Sequence, residues 1–213
     1  MTTRQAYLAV GDEKVKRYPA DIAPFIAARG GDPAARAAMA DWATAGELLY
    51  LIDGDEVPTA GWEVEKSSAV LQMVYRGKRG VDGADGEYSV LGPDDVPEML
   101  GLTALAFPGY FRARTVELGT YVGVRVDGRL VAMAGMRMFP GDFREVSGVC
   151  THPDHRGRGY ARRLIAATVA EILDQGHTPF LHVDAANHGA RTAYEAIGFE
   201  VRAELPFVGL RRV

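Results

Sequence analysis

Apolar positions in the second half of the chain form short strand-like runs and helical stripes in turn. The runs TYVGVRV and RLVAMAGMRM flank Asp127 and Gly128, a dipeptide that favours a tight hairpin turn, and REVSGVCT and PFLHVDA are two further runs. Between these last two runs one stripe predicts a helix that ends at Gly176, with buried positions at Ala161, Leu164, Ile165, Thr168 and Ile172. This order of strand, helix and strand predicts a crossover between parallel strands.

Two more helices are predicted on either side of this unit. The segment GPDDVPEMLGLTALAF begins with Asp94 or Asp95 as a helix cap, and its apolar face comprises Val96, Met99, Leu100, Thr103 and Phe107. The segment NHGARTAYEAIGF ends at Gly198, and its apolar face comprises Ala190, Ala193, Tyr194 and Ile197. The last residues add one or two strands.

The first part of the chain has weaker signals. The segment DPAARAAMADWATAG predicts a helix with Asp32 as cap, Pro33 in the first turn and Gly46 beyond its end, and ELLYLID and SSAVLQMVY predict buried strands. Residues 76–92 alternate glycines with charges and predict a loop. We therefore predict an α/β fold with a mixed sheet over residues 88–213, after a smaller α/β region, 1–80, of unknown role.

Composition narrows the classes of function. A net charge of -4 and a pI of about 5.8 disfavour a general nucleic-acid binder. The single cysteine, Cys150, excludes an internal disulfide, and the sequence shows no signal-peptide pattern and no apolar run of membrane-spanning length. We expect a cytoplasmic protein without membrane or nucleic-acid partners. The histidine spacing predicts no metal site.

The segment HRGRGYARRL, residues 155–164, packs four arginines around two glycines in this acidic chain. It lies between a predicted strand and a predicted helix, whose first-turn N–H groups attract phosphate oxygens. Gly157 and Gly159 let the backbone approach an anion, while Arg156 and Arg158 add charge. Arg162 breaks the dinucleotide fingerprint, and no Gly-Lys-Ser/Thr follows. The segment predicts a pyrophosphate site; the alternative is a glycine turn before a solvated arginine face.

Two motifs make the chain resemble the GNAT acetyltransferase superfamily. Its signature Arg/Gln-x-x-Gly-x-Gly/Ala is met by Arg156, Gly159 and Ala161. A second pattern, Asn-x-x-Ala-x-x-x-Tyr-x-x-x-Gly-Phe, is met by Asn187, Ala190, Tyr194, Gly198 and Phe199. The resemblance covers about residues 88–213 and is strongest to the branch that includes glycine N-acyltransferase-like proteins, in which an amino-terminal half often precedes the catalytic fold.

The resemblance implies an acetyl-CoA-dependent N-acetyltransferase in which an amine attacks the thioester directly in a ternary complex, without a metal. The residues it places at the CoA are Val149, Cys150, Thr151, Arg156, Gly157, Arg158, Gly159, Tyr160, Ala161 and Asn187. In the family the strand that carries Val149, Cys150 and Thr151 splays from its neighbour. Gly148 interrupts this strand, which predicts a bulge or a close approach of the backbone there. Cys150 is most simply a small buried residue, and Asn187 also suits a helix cap.

Two residues are candidates for catalysis. Tyr194 could donate a hydrogen bond or proton to the departing thiolate, or only pack the helix face. Glu145 lies eleven residues before Arg156, where some members of the superfamily keep a general base, and it alternates with Ser147 and Val149, so the three should point the same way. The alternative for Glu145 is a charged residue at a strand entrance.

The acceptor is open at this stage. A small amine is expected, and an amino-acid-like acceptor would fit if Arg112, Arg114 and Arg137 bound a carboxylate; the alternative is that these arginines are solvated. A CoA-binding protein without transferase activity, acting as a sensor or interaction module, is the rival function. The sequence does not indicate an oligomeric state.

Overall fold

A computed structural model describes residues 5–52, 60–77, 83 and 86–213. The helices are α1 (Pro33–Ala38), α2 (Val96–Ala106), α3 (Tyr160–Asp174) and α4 (His188–Glu195). The strands are β1 (Val10–Gly11), β2 (Val15–Arg17), β3 (Ile26–Ala28), β4 (Leu48–Ile52), β5 (Trp62–Tyr75), β6 (Ser89–Leu91), β7 (Tyr121–Val126), β8 (Arg129–Met136), β9 (Phe143–Thr151), β10 (Thr178–Asp184) and β11 (Phe199–Arg212). Among the described residues, no helix is long and apolar enough to cross a membrane.

Eight strands form one mixed sheet in the order β4-β11-β5-β10-β9-β8-β7-β6. The pair β9–β10, which brackets α3, is parallel as predicted, and the other neighbours are antiparallel. The first three strands form a separate small sheet. The predicted mixed α/β architecture is confirmed.

The large sheet crosses the predicted boundary between residues 80 and 88. Both β4 and β5 come from the first part of the chain, yet β5 pairs with β10 on one side and with β11 on the other, and β4 pairs with the far edge of β11. Part of the predicted loop, at residues 78–82 and 84–85, lies outside the described residues. The division into domains 1–80 and 88–213 stays a prediction, and hydrogen-bonded strands link its two sides.

Local chemistry explains where several elements begin and end. Asp127 and Gly128 have φ of 49° and 76°, the left-handed pair that a two-residue hairpin turn requires. The Asp32 carboxylate accepts hydrogen bonds from the amides of Ala34 and Ala35 at the start of α1. That helix ends earlier than predicted, and a 3-10 turn at Met39–Trp42 replaces its last part.

The core lies on both faces of the sheet. Alternate residues of β5 point to opposite faces, so Leu71 and Met73 pack beneath α3 while Val70 joins a different cluster. That second cluster brings Tyr18, Ile22 and Phe25 from the first part of the chain against Tyr50 and Phe207. Beside it, Met99 and Leu102 of α2 cover the sheet near Tyr121 and Cys150. The first part of the chain therefore covers one face of the sheet.

Candidate active site

The parallel strands β9 and β10 separate in the middle of the sheet. Their pairing runs from Phe143 opposite Thr178 to Glu145 opposite Phe180 and ends there. Beyond this point each strand continues, β9 to Thr151 and β10 to Asp184. The splay implied by the resemblance is therefore present, and the main chain on the two inner edges is free to meet a ligand.

A bulge at Gly148 shapes the inner edge of β9. The register with β8 shifts between Met133 and Gly135, and Gly148 has φ of 67°. A Cβ at this position would lie 2.8 Å from the ring of Tyr121, so only glycine fits. The bulge also breaks the alternation predicted for Glu145, Ser147 and Val149, because Val149 packs beside Val146 on the α3 face.

Beyond the bulge, strand geometry decides which amides face the opening. The His152 amide donates to Val131 O of β8 at 2.8 Å. Since successive N–H groups of a strand point to opposite sides, the amides of Thr151 and Val149 point into the split and that of Cys150 points to β8. The Cys150 thiol is buried, and burial raises its pKa to about 12. The main-chain amides open to a ligand in the split are therefore those of Val149 and Thr151, and that of Cys150 is not.

A cavity of about 430 Å³ opens where β9 meets the start of α3, and we call it the glycine-loop cavity. The residues predicted to contact CoA all line it: Val149, Cys150, Thr151, Arg156, Gly157, Arg158, Gly159, Tyr160, Ala161 and Asn187. The structure thus brings the two motifs together around one opening.

The first turn of α3 provides an anion site in this cavity. Gly159 precedes the helix with φ of 77°, and no side chain caps the first-turn amides. Gly157 has φ of 75°, and a Cβ at either glycine would meet no atom within 4 Å. Arg156, Arg158 and Arg162 are exposed and form no ion pair with any residue that the structure describes. Open backbone, unpaired amides and free cations suit a pyrophosphate.

Helix α4 places two motif residues beside the split. Asn187 caps the helix, its Oδ1 accepting from the Ala190 amide at 3.1 Å. Tyr194 packs edge-on against Phe199, with ring centroids 5.9 Å apart, and burial raises the pKa of its hydroxyl to about 12. The hydroxyl therefore stays protonated at neutral pH and is available as a hydrogen-bond donor.

A second cavity, of about 410 Å³, lies on the other side of Tyr194, and we call it the aromatic cavity. The aromatic residues that line it are Phe25, Phe107, Tyr110, Tyr194 and Phe207. The basic and acidic residues that line it are Lys66, Arg137, His182 and Asp184. Six residues line both cavities: Ala106, Phe107, Val149, Asn187, Ala190 and Tyr194. The two cavities therefore adjoin along the split.

Glu145 is not placed to receive a proton from a molecule in the aromatic cavity. Its side chain is 1% exposed, and Arg137 donates to both carboxylate oxygens at 2.8 and 2.9 Å. His182 Nδ1 lies 2.8 Å from the same carboxylate. Desolvation by itself would raise the Glu145 pKa, but the charge and hydrogen bonds of Arg137 outweigh it and lower the pKa to about 2. Such a weak, enclosed base does not fit the predicted catalytic role; Glu145 instead fixes Arg137 and His182 in the cavity wall.

The arginines considered for carboxylate binding are also accounted for. Arg137 is held by Glu145 and lies over the ring of Phe25, with 4.7 Å from its guanidinium carbon to the ring centroid. Arg114 is paired with Asp21 and Glu117, and neither Arg112 nor Arg114 lines the aromatic cavity. The structure therefore does not bring the three arginines together as a carboxylate site, and Arg137, at 13% exposure, does not match the alternative of a solvated side chain either.

The charged residues that reach the aromatic cavity with free solvent access are Lys66 and Asp184. Sequence reasoning missed both, because Lys66 lies in the middle of a long strand of the first part of the chain and belongs to no motif. Only the alternation of β5, which puts Lys66 on the same face as Val70, hints at its position. Among the described residues, no group of His, Cys, Asp or Glu side chains is arranged to hold a metal ion.

A mixed sheet split between parallel strands, with an uncapped helix N-terminus against the split, defines an acetyltransferase of the GNAT class. The family model described as FR47-like protein matches residues 121–208. A crystal structure from Novosphingobium aromaticivorans, assigned to the GNAT family, is 35% identical with a TM-score of 0.91 over 99% of this chain and 94% of that chain. The chain therefore belongs to the GNAT acetyltransferase superfamily.

Two further relatives show how far the similarity extends. The L-amino acid N-acyltransferase MnaT of Escherichia coli is 32% identical over 111 residues, which cover 48% of this chain and 62% of the relative. A GCN5-related N-acetyltransferase from Kribbella flavida is 18% identical with a TM-score of 0.60, over 96% of this chain and 88% of that chain, and shows the fold alone. The match to MnaT spans less than two thirds of that relative.

Proposed function

We propose that the protein transfers an acetyl group from acetyl-CoA to the amine of a small acceptor by direct attack in a ternary complex. The observation that carries this proposal is the contact of the two cavities along the split, at Val149, Asn187 and Tyr194. An acyl donor threaded through the glycine-loop cavity and an amine in the aromatic cavity would meet there. The Cys150 thiol is not suited to form an acyl-enzyme, because it is buried and its pKa is raised to about 12.

The glycine loop is proposed to bind the pyrophosphate of CoA. The first-turn amides of α3 and the charges of Arg156 and Arg158 favour an anion at this point. The positive φ of Gly157 and Gly159 keeps side-chain atoms out of the space that the anion would occupy.

At the split, we propose one hydrogen-bond donor for the thioester oxygen and another for the thioester sulfur. The Val149 amide is proposed to stabilise the negative charge that develops on the thioester oxygen, and such donors contribute roughly 3–4 kcal/mol in known oxyanion sites. The Tyr194 hydroxyl is proposed to donate a hydrogen bond to the departing sulfur. With a pKa of about 12 it acts as a donor and gives up no proton at neutral pH.

The acceptor must lose a proton before it attacks. Because Glu145 is enclosed, we propose that Asp184, whose side chain is 43% exposed at the end of β10, receives the proton or passes it to solvent. The name of the E. coli relative suggests an acceptor of the amino-acid kind. The glycine N-acyltransferase-like branch and a cytoplasmic location stay predictions that belong to this proposal.

The test is a panel of amines and amino acids with acetyl-CoA, with free thiol as the readout. We expect acetyl-CoA to raise the melting temperature, since it binds the folded state, and at least one amine to raise thiol release well above the rate without acceptor. Binding without any acceptor-dependent release would contradict transferase activity and favour a CoA sensor or interaction module. The absence of binding by calorimetry would contradict both.

A further inference from the structure

One wall of the aromatic cavity comes from the first part of the chain, whose role the sequence left open. Phe25, Ile52, Lys66 and Val70 line the cavity there, and β11 adds Phe207. The Gln5 side chain ties this part of the chain to the sheet, since it hydrogen-bonds to the carbonyls of Leu118 and Arg137. The region before residue 76 is therefore positioned to influence which acceptor fits.

Lys66 and Asp184 form a loose ion pair at the mouth of this cavity. Lys66 Nζ lies 3.8 Å from Asp184 Oδ2, and the two side chains are 39% and 43% exposed. The other oxygen of Asp184 accepts from the Ala186 amide at 2.9 Å, which fixes the carboxylate on β10. Exposed pairs of this kind contribute little to stability, because solvent screens the two charges. A ligand that brings both charges can therefore separate the pair at little cost in free energy.

The two members of the pair, Asp184 and Lys66, have different neighbours along the cavity. The Asn187 amide donates to Asp184 O at 2.8 Å, and Asn187 lines both cavities, so Asp184 is the member closer to the junction. Lys66 contacts residues that line the aromatic cavity alone, with Nζ 3.4 Å from the Tyr110 hydroxyl and 5.1 Å from the centroid of the Phe207 ring. A ligand amine directed to the junction would meet Asp184, and a carboxylate on the same ligand would meet Lys66.

The wall beside Lys66 is a packed set of aromatic rings. Tyr50 stacks on Phe207 with centroids 5.2 Å apart and planes 5° apart, and Tyr110 lies 4.7 Å from Tyr50. These contacts hold the rings of Tyr110 and Phe207 in place at the cavity surface. An apolar side chain buried against them would be stabilised because its surface leaves water.

We propose that the acceptor is an α-amino acid with an apolar or aromatic side chain, bound as a zwitterion between Lys66 and Asp184. Lys66 binds its carboxylate, Asp184 binds its amine, and the rings of Tyr110 and Phe207 contact its side chain. This inference rests on the proposed acetyl transfer and adds to it the residues that select the acceptor.

The experiment compares L-phenylalanine with phenethylamine, which keeps the side chain and amine but lacks the carboxylate. In the unmodified protein, kcat/KM for phenylalanine should exceed that for phenethylamine at least tenfold. Lys66→Met should lower kcat/KM for phenylalanine at least tenfold through KM and leave phenethylamine within twofold. Lys66→Arg should restore most of the loss. Lys14→Met, at an exposed lysine outside the cavity, should change neither acceptor.

Asp184→Asn provides a second test that does not depend on the folding of the Lys66 variants. It keeps the hydrogen bond to Ala186 and should lower kcat/KM for both acceptors, since both carry the amine. Equal effects of Lys66→Met on the two acceptors, or none on either, would overturn the zwitterion site. If the unmodified protein releases thiol with other amines but with no apolar or aromatic α-amino acid, the acceptor class proposed here is wrong. If no amine gives release, the proposed function itself fails.

Discussion

At the scale of single residues, Glu145 shows how burial decides a role. A carboxylate beside an active-site strand suggests a base, but its contacts with Arg137 and His182 make it a structural anion. Removing one member of a buried pair leaves an uncompensated charge, which typically destabilises a protein by about 3–5 kcal/mol.

We therefore predict that Glu145→Gln lowers the free energy of unfolding by about 3 kcal/mol at neutral pH. The Glu145 pKa falls from 4.5 to about 2 on folding, so its stabilising effect is full above about pH 4.5 and is lost as the pH falls towards 2. Urea denaturation at several pH values should show the two proteins converging over that window. Glu65→Gln, which removes an exposed partner of Arg211, should have a much smaller effect. Equal stability at pH 7 would contradict the assignment.

Tyr194 supports a second prediction at this scale. Tyr194→Phe keeps the ring that packs on Phe199 and removes the hydroxyl. If the hydroxyl serves the departing thiolate, kcat should fall with little change in the dissociation constant of acetyl-CoA, as for an interaction made mainly in the transition state. Both quantities are measured on one folded preparation. Full turnover would show that Tyr194 only packs the helix.

At the scale of elements, helix α3 offers a matched pair of glycines. Gly159 and Gly176 bracket the helix with φ of 77° and 78°, and a Cβ at either meets nothing within 4 Å. A side chain at either position therefore imposes similar backbone strain, but only Gly159 lies at the glycine-loop cavity.

We predict that Gly159→Val weakens acetyl-CoA binding at least tenfold, because the side chain would project into the space proposed for the pyrophosphate. Gly176→Val should lower the melting temperature to a similar extent and leave the affinity unchanged. Calorimetric titration of both variants gives the comparison. Normal affinity in folded Gly159→Val would remove the glycine loop from the proposed binding site.

The elements also show what sequence reasoning can reach. The cap at Asp32, the turn at Asp127 and the irregular backbone at Gly148 were predictable, because their chemistry involves residues close in the chain. The motif around Arg156 and Gly159 was predictable for the same reason. The Glu145 network was not, since it joins Arg137, just after β8, to β9 and β10 in a register that no local pattern encodes. Lys66 was missed because its neighbours Asp184 and Phe207 come from distant strands.

At the scale of the whole molecule, the first part of the chain is built into the sheet. Residues 62–75 pair along almost their full length with residues 199–212, and residues 70–74 pair with residues 180–184. Without β5, the core residues Leu181 and Phe199 would lose the strand that lies between them.

We predict that a fragment of residues 86–213 does not fold cooperatively, even though it carries both GNAT motifs. Thermal unfolding followed by circular dichroism should show one sharp transition for the full chain and none for the fragment. A cooperative transition in the fragment, together with acetyl-CoA binding, would instead support the predicted division into domains 1–80 and 88–213.

The position of β11 between β4 and β5 has a consequence for synthesis of the chain. The two earlier strands are made first, and their native arrangement leaves a gap for a strand that begins at Phe199. At about 5–20 residues per second, the ribosome takes several seconds to deliver it. During that time β4 and β5 can pair with each other as a hairpin. This pairing is non-native, because β11 separates the two strands in the folded sheet, and it must break before the sheet is completed. We therefore expect the shared strand to make the nascent chain prone to a kinetic trap.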